Sequence, residues 1–357
     1  MFKGLKLYPS FLEEENIVAK LQLVVQLEKN SPYAKGTVFD PLVERMLRAL
    51  RVIPLDFQQY VLALFANTLY CTEQFSTSIM LHLYSSFLYE FNLKQEEFAD
   101  NCLVLEVDPT GMINEFLRLN KVQGRLDKKS FPREQQLDSF VKKMILRNDL
   151  DLYLSNRENT DKETIDQIYD KAFSNDSHQL DKNYWVVLSD NALSGTSICT
   201  AVNRLCDLAK TFNKNPKIII LIRTLTKQAL NELTTQFRDK ITDIKYGLLL
   251  KEDYTINSSS IEKCKLFKNK ETFEGVINAS NWLAETTAFA NDPILDDHKR
   301  CSDDDLRFGF KKCGLTFVSA ENCPSNSLPL LWYKNDDYIA PFPRVLSRIG
   351  GKIDVQN

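Results

Sequence analysis

The sequence predicts an α/β protein: a parallel sheet with crossover helices, preceded by an all-helical N-terminal region. Three observations predict it. Through the first hundred residues apolar side chains recur every three or four positions, and Gly occurs only at Gly4 and Gly36 before Gly111, which leaves little turn material for hairpins. From residue 184 onward, short apolar runs alternate with helix-period segments, the pattern of parallel strands joined by right-handed crossovers. The chain of 357 residues is 43% apolar and 26% charged, a globular composition with room for about two domains. Disordered, collagen-like and fibrous classes are excluded.

The helical region spans residues 1–98. Ile17, Leu21, Val24 and Val25 share one helix face between Phe11 and Leu27, and Leu42, Met46, Leu47 and Leu50 share another. Leu55–Tyr70 and Ser78–Phe91 repeat the period. The aromatic group Phe75, Tyr84, Phe87, Tyr89 and Phe91 reads as core. The texture changes at Cys102–Val107, a short apolar strand that ends in the turn Asp108-Pro-Thr-Gly111 and leads into a helical pattern over Met112–Leu119. A charged, helical insertion around 125–178 includes Thr160-Asp-Lys-Glu163, in the form of a capping box. Strands are expected over Tyr184–Leu188, Lys217–Ile222, Ile244–Leu250, Leu315–Ser319 and Leu328–Trp332. Helices are expected over Ile198–Ala209 and Lys227–Phe237. The expected organisation is therefore a helical region over 1–98, a sheet domain over 99–345, and a tail over 346–357.

Net charge is -3, so no global basic field tracks a phosphate backbone, and a nucleic-acid reading has only a Lys/Arg-rich foothold around Lys121–Lys143. No apolar run approaches the ~18–20 residues of a membrane span. With no signal-peptide pattern, the expected compartment is the cytoplasm and the eight cysteines are expected as thiols. His298, Cys301, Cys313 and Cys323 lack the paired Cys-x-x-Cys spacing of a zinc site, and no metal ligand set is expected. Loops for nucleoside triphosphates or dinucleotides, and the common zinc-protease and serine-hydrolase motifs, are absent from the sequence.

The segment that carries chemistry is Trp185-Val-Val-Leu-Ser-Asp-Asn-Ala-Leu-Ser-Gly-Thr-Ser197. Four apolar residues make a buried strand, Asp190 follows its carboxyl end, and a small-residue turn opens a helix. Ligands of parallel sheets bind at that end of the strands, and a helix N-terminus offers backbone N–H groups to a phosphate. Ser194, Thr196 and Ser197 add hydroxyls, and Asp190 can accept from two sugar hydroxyls. The same residues also fit a plain strand-to-helix turn with an acid near a helix N-terminus.

This stretch resembles the phosphoribosyl-pyrophosphate motif of type I phosphoribosyltransferases: four apolar residues, two acids, three variable residues, then Ser/Thr-Gly-x-Ser/Thr. Asp190 matches the second acid, and Ser194, Gly195, Thr196 and Ser197 match the phosphate loop. Ser189 stands in place of the first acid. A second stretch, Gly309–Trp332 with Pro324-Ser-Asn-Ser-Leu-Pro-Leu-Leu-Trp332 and then Ala340-Pro-Phe-Pro-Arg344, resembles the ending of a divergent bacterial phosphoribosyltransferase-like group. That group is associated with antiphage defence loci and some retrons, where it is proposed as the effector.

The resemblance implies a type I phosphoribosyltransferase-like fold and chemistry at the anomeric carbon of a phosphoribosyl or nucleotide substrate, with Asp190 as the catalytic residue. Phosphate and ribose would be held by Ser189, Asn191, Ser194, Gly195, Thr196 and Ser197. Asp108, Thr110 and Gly111 stand where such enzymes place a pyrophosphate loop. Asn326, Ser327 and Trp332 are candidates for lining the site. Magnesium is the implied ion if the ligand is phosphoribosyl pyrophosphate or a nucleotide diphosphate. Implied partners are the small molecule and other defence components, such as a reverse transcriptase with its nucleic acid, and no membrane. The rival reading is a nucleotide-binding regulatory or assembly subunit of the same fold without turnover, which Ser189 favours.

Overall fold

The computed structural model describes residues 8–14, 16–28, 41–107, 112–122, 132, 135–155, 177–256, 262, 265–287, 307–319, 323–334 and 337–342. The described strands, in chain order, are β1 (Leu69–Cys71), β2 (Cys102–Glu106), β3 (Tyr184–Ala192), β4 (Lys217–Thr226), β5 (Asp243–Leu250) and β6 (Phe317–Ser319). The α/β class with parallel pairing and an N-terminal helical region is as the sequence predicts.

The chain folds as two compact units, residues 77–249 and residues 1–76 with 250–357. Composition draws its line at residue 98, whereas contacts draw theirs inside the long helix Glu73–Glu90 and at the end of β5.

The unit of residues 77–249 is built on a four-stranded sheet in the order β2-β3-β4-β5. β2 pairs parallel with β3 from Cys102↔Tyr184 to Glu106↔Leu188, and β3 pairs parallel with β4 from Tyr184↔Lys217 to Ala192↔Leu225. Strand side chains alternate between faces, and the alternation sorts the core into two layers. Trp185, Val187, Ile218, Ile220 and Ile222 pack with helices Leu137–Ser155, Thr196–Thr211 and Lys227–Phe237. Val186, Leu188, Ile219 and Leu221 pack on the other face with helices Glu73–Glu90, Phe98–Asn101 and Met112–Leu119. A sheet covered on both faces explains why its strands read as continuous apolar runs. Gly247 in β5 fits because a Cβ there would lie 2.0 Å from Ile79 Cγ2 of the long helix.

The helices Met112–Leu119 and Lys227–Phe237 have the expected bounds, and the crossover helix runs Thr196–Thr211 around the expected Ile198–Ala209. β3 and β4 each continue four residues past the expected ends, because Ser189–Ala192 and Ile222–Leu225 pair with one another. At the opposite, amino-terminal end of the strands, Lys182 is buried. It donates to the carbonyls of Ala99 at 2.7 Å and Cys102 at 3.3 Å, and burial pulls its ammonium down to about 8.

The other unit joins the N-terminal helices to the C-terminal segment. Helices Leu42–Val52, Gln58–Ala66 and Lys270–Thr287 share one core with Ile17, Leu330, Trp332 and Phe342. Its sheet is the short parallel pair β1–β6. A strand within the helical region was not expected. The expected strand Leu328–Trp332 is instead a single helical turn, Pro329–Trp332, since proline is suited to a first helical position and cannot donate to a ladder. Two of the aromatics expected in the core lie outside it: Tyr89 is 90% exposed and Phe75 44%. Helix Glu73–Glu90 has only one packed face, and these two residues fall off it, whereas Tyr84 and Phe87 are buried against Phe98. The capping box at 160–163 and the helix expected after it lie outside the described residues.

Candidate functional site

β2 makes its last pair at Glu106↔Leu188, and Val107 N–H then bonds Leu188 O at 2.9 Å. Beyond that step β4 is the neighbour of β3 among the described residues. Ser189, Asp190 and Asn191 therefore stand at the carboxyl end of the sheet, where parallel strands present ligand sites.

The register Ser189↔Ile222 and Asn191↔Thr224 sets Asp190 beside Arg223 on adjoining strands. The two make an ion pair between Arg223 Nη2 and Asp190 Oδ1, with side-chain exposures of 3% and 12%. Alternation puts Asp190 on the face of Val186 and Leu188, and the buried Ser189 on the face of Val187. The two positions of the acidic motif thus open on opposite faces, and only Asp190 carries a charge. Asn191 is half-buried, and its Oδ1 is buried with no hydrogen-bond partner among the described residues. An amide oxygen left this way costs about 1–3 kcal/mol, so it favours a bound donor.

The loop that follows is seated by the next crossover. Thr226 Oγ1 donates to Leu193 O at 2.7 Å and accepts from Ala229 N at 3.0 Å, so one hydroxyl ties the loop to the start of helix Lys227–Phe237 and caps that helix. Gly195 has φ +80, and a Cβ there would lie 2.7 Å from Glu232 Oε2 and 3.3 Å from Ala229 Cα. It is the N-cap of helix Thr196–Thr211 and supplies no side-chain cap. The first N–H groups of that helix have no intrahelical carbonyl to meet. Ser194 is buried with its Oγ 3.3 Å from Thr196 Oγ1, Thr196 is half-buried, and Ser197 is exposed. Uncapped N–H groups, hydroxyls and the positive end of a sixteen-residue helix converge here, an arrangement suited to a phosphate.

Ser189, Asp190, Asn191, Ser194, Gly195, Thr196 and Ser197 are thus brought together at one strand end. Asp108, Thr110 and Gly111 lie outside the described residues. Just before them, Glu106 is buried and its Oε2 accepts from Ile113 N at 3.1 Å, fixing the start of the helix that follows.

Asn326, Ser327 and Trp332 belong to the other unit. Their polar groups serve its folding. Ser327 Oγ donates to Phe317 O at 2.6 Å, Trp332 Nε1 donates to Ser327 O at 2.7 Å, and Asn326 Nδ2 donates to Phe310 O at 3.2 Å. Gly309, with φ +78, lets this turn close, since a Cβ would meet Ser327 O at 2.5 Å.

Two participants escaped the sequence reading. Arg223 and Thr226 sit in Ile-Leu-Ile-Arg-Thr-Leu-Thr226, just past an apolar run. A charge at the carboxyl end of one strand, matched by Asp190 at the end of its neighbour, was a usable signal, but only register shows that the two pair.

Of the weighed zinc set, Cys313 lies 3.3 Å from Asn326 Nδ2 and Cys323 Sγ lies 3.8 Å from Phe317 O. His298 and Cys301 lie outside the described residues. Among the described residues no three His, Cys, Asp or Glu side chains gather to hold a metal, and no helix is long and apolar enough to cross a membrane. Magnesium finds a poor seat at the carboxyl end of β3. Among the described residues the acidic motif offers a metal a single carboxylate, Asp190, and Arg223 engages it.

Comparison with curated proteins and with solved structures finds no match. The family model PRTase-CE matches residues 55–344, which take in the sheet, the 190–197 loop and the Pro324–Trp332 turn. That match covers most of the chain, which is therefore a phosphoribosyltransferase-like protein and belongs to the PRTase-CE family.

Proposed function

We propose that the chain acts at the anomeric carbon of a phosphoribosyl or nucleotide substrate, in the cytoplasm, as the toxic effector of a bacterial antiphage defence system. The observation that carries the chemical part is the convergence of Asp190 with the uncapped helix start at Gly195–Ser197, at the carboxyl end of two parallel strands. The defence role rests on the resemblance of the Gly309–Arg344 ending and of the strand–loop motif.

In this reading the loop N–H groups and the hydroxyls of Ser194, Thr196 and Ser197 hold the 5′-phosphate. Asp190 accepts from the ribose hydroxyls and faces the positive charge that builds on the sugar as the bond from C1′ to pyrophosphate or base breaks. The leaving group takes the bonding electron pair, and an acceptor nucleophile attacks C1′. Positioning and electrostatic stabilisation supply the catalysis. Any magnesium arrives with the phosphates of the ligand.

The second reading is a nucleotide-binding regulatory or assembly subunit without turnover. The pairing of Asp190 with Arg223, together with the uncharged Ser189, favours it.

Calorimetric titration with phosphoribosyl pyrophosphate, nucleotides and NAD, paired with product analysis, separates the two. Hydrogen bonds to a charged group contribute ~1.5–3 kcal/mol, so Asp190→Asn is expected to cost roughly 10- to 150-fold. If the chain is an enzyme, turnover falls more than affinity, and cell killing is lost while the protein still accumulates. If it is a binder, only affinity falls. A folded Asp190→Asn protein with undiminished binding, turnover and effect in cells removes Asp190 from the mechanism.

A further inference from the structure

We propose that Arg223 is a positioning residue that holds and neutralises Asp190, so that the 194–197 loop takes a phosphorylated sugar without help from a divalent cation. The proposal rests on the phosphoribosyl reading above. A strand end with two adjacent carboxylates presents two negative charges to an arriving polyanion, and a cation must offset them. In this chain Ser189 is buried and contributes no charge. Asp190 is left as the single acid of the motif, and the parallel register delivers a guanidinium to it. The pair is net neutral.

Arg223 is 3% exposed, and its carboxylate partner is 12% exposed. A pair so far out of water is costly to leave half-made, because removing one partner strands a buried charge. The guanidinium meets one carboxylate oxygen, Oδ1, and so ties that oxygen in place. Arg223 therefore has two effects on Asp190. It sets the direction in which the carboxylate meets the ribose, and it cancels the repulsion that this carboxylate would exert on a phosphate bound a few residues further along the same turn.

The test is calorimetric titration with phosphoribosyl pyrophosphate, in excess EDTA and again in magnesium. The proteins are the parent, Asp190→Asn, Arg223→Met, Arg223→Lys and the Asp190→Asn/Arg223→Met double variant, each checked for folding by circular dichroism. The parent is expected to bind in EDTA nearly as well as in magnesium. Arg223→Met is expected to lose roughly 10- to 150-fold in EDTA and to recover most of it in magnesium. Arg223→Lys, which restores charge without the fork, should fall between. The double variant, neutral again, should show as little magnesium dependence as the parent.

Loss of parent binding in EDTA overturns the proposal, and that arm needs no variant. So does an Arg223→Met protein that binds like the parent in EDTA, or a double variant as dependent on magnesium as Arg223→Met. If Arg223→Met does not fold, the double variant still decides, because a marked magnesium dependence in that neutral protein overturns the proposal. A parent that binds phosphoribosyl pyrophosphate in neither condition refutes the phosphoribosyl reading itself, and this proposal with it.

Discussion

Gly195→Ala tests whether the loop geometry is imposed by backbone conformation or by crowding. Gly195 holds φ +80 and ψ -15, a left-handed conformation that costs an L-residue about 1–2 kcal/mol. The added Cβ would also meet Glu232 Oε2 at 2.7 Å and Ala229 Cα at 3.3 Å. The glutamate is the end of a flexible side chain and can swing away. The Ala229 contact is backbone, held by the cap that Thr226 Oγ1 makes to Ala229 N, and must yield by a few tenths of an ångström. Strain and crowding together give about 1–3 kcal/mol of destabilisation. At ~1.4 kcal/mol per decade, that is roughly a 5- to 150-fold rise in the opening equilibrium of the sheet. Hydrogen exchange read by mass spectrometry on peptides covering Trp185–Leu188 reports this opening locally, since Trp185, Val186, Val187 and Leu188 are all buried. Adding Glu232→Ala should recover only a minor part, because the φ strain remains. Exchange unchanged in Gly195→Ala, or fully restored by Glu232→Ala, would refute the reasoning. Gly195→Val, with a branched Cβ, is expected to abolish binding of phosphoribosyl pyrophosphate as well.

Two further outcomes follow from buried groups. Burial lowers the folded Lys182 ammonium from 10.5 to about 8, so between those values the unfolded chain holds a proton that the folded chain does not, and stability rises with pH across that window. The difference amounts to about 3 kcal/mol. Lys182→Met lacks this rise, so urea unfolding of the two proteins should diverge in the parent's favour from pH 7.5 to 10.5, and a gap that is constant with pH refutes the assignment. Cys102 works in the opposite direction, since burial raises its thiol, and loss of the Lys182 charge raises it further in Lys182→Met, which widens the same divergence. Thr226→Val keeps shape while removing both the cap on Ala229 and the bond to Leu193 O, at a cost of about 2 kcal/mol. Exchange should accelerate together in residues 193–197 and in the first turn of Lys227–Phe237, and acceleration in the helix alone would show that the loop is seated by something else.

The elements of residues 102–250 were legible because each obeys a local rule. A run of four apolar residues with two valines, bounded by polar ones, fits a covered strand, and the 3.6-residue period over Lys227–Phe237 fits a helix. The candidate phosphate loop was legible for the same reason, since it is contiguous: Asp190 and Ser194–Ser197 occupy one strand and the turn that leaves it. What tertiary structure alone decided is everything that depends on a neighbouring strand or helix. The Asp190–Arg223 pair exists because parallel register aligns residues thirty-three positions apart. Gly195 is confined by Glu232 and Ala229 of the next crossover, which no spacing within the motif reveals. Leu328–Trp332 looked like a strand from its apolar run, but Pro329 and the bond from Trp332 Nε1 to Ser327 O fold it into a turn of helix. The N-terminal helices look like a separate layer in sequence, yet they share one core with residues beyond 250, because their apolar stripe has to be buried and those residues cover it. Sequence alone determines local conformation and the chemistry carried within one turn. Partnership between strands, and with it the charge of the site, is decided only when the sheet forms.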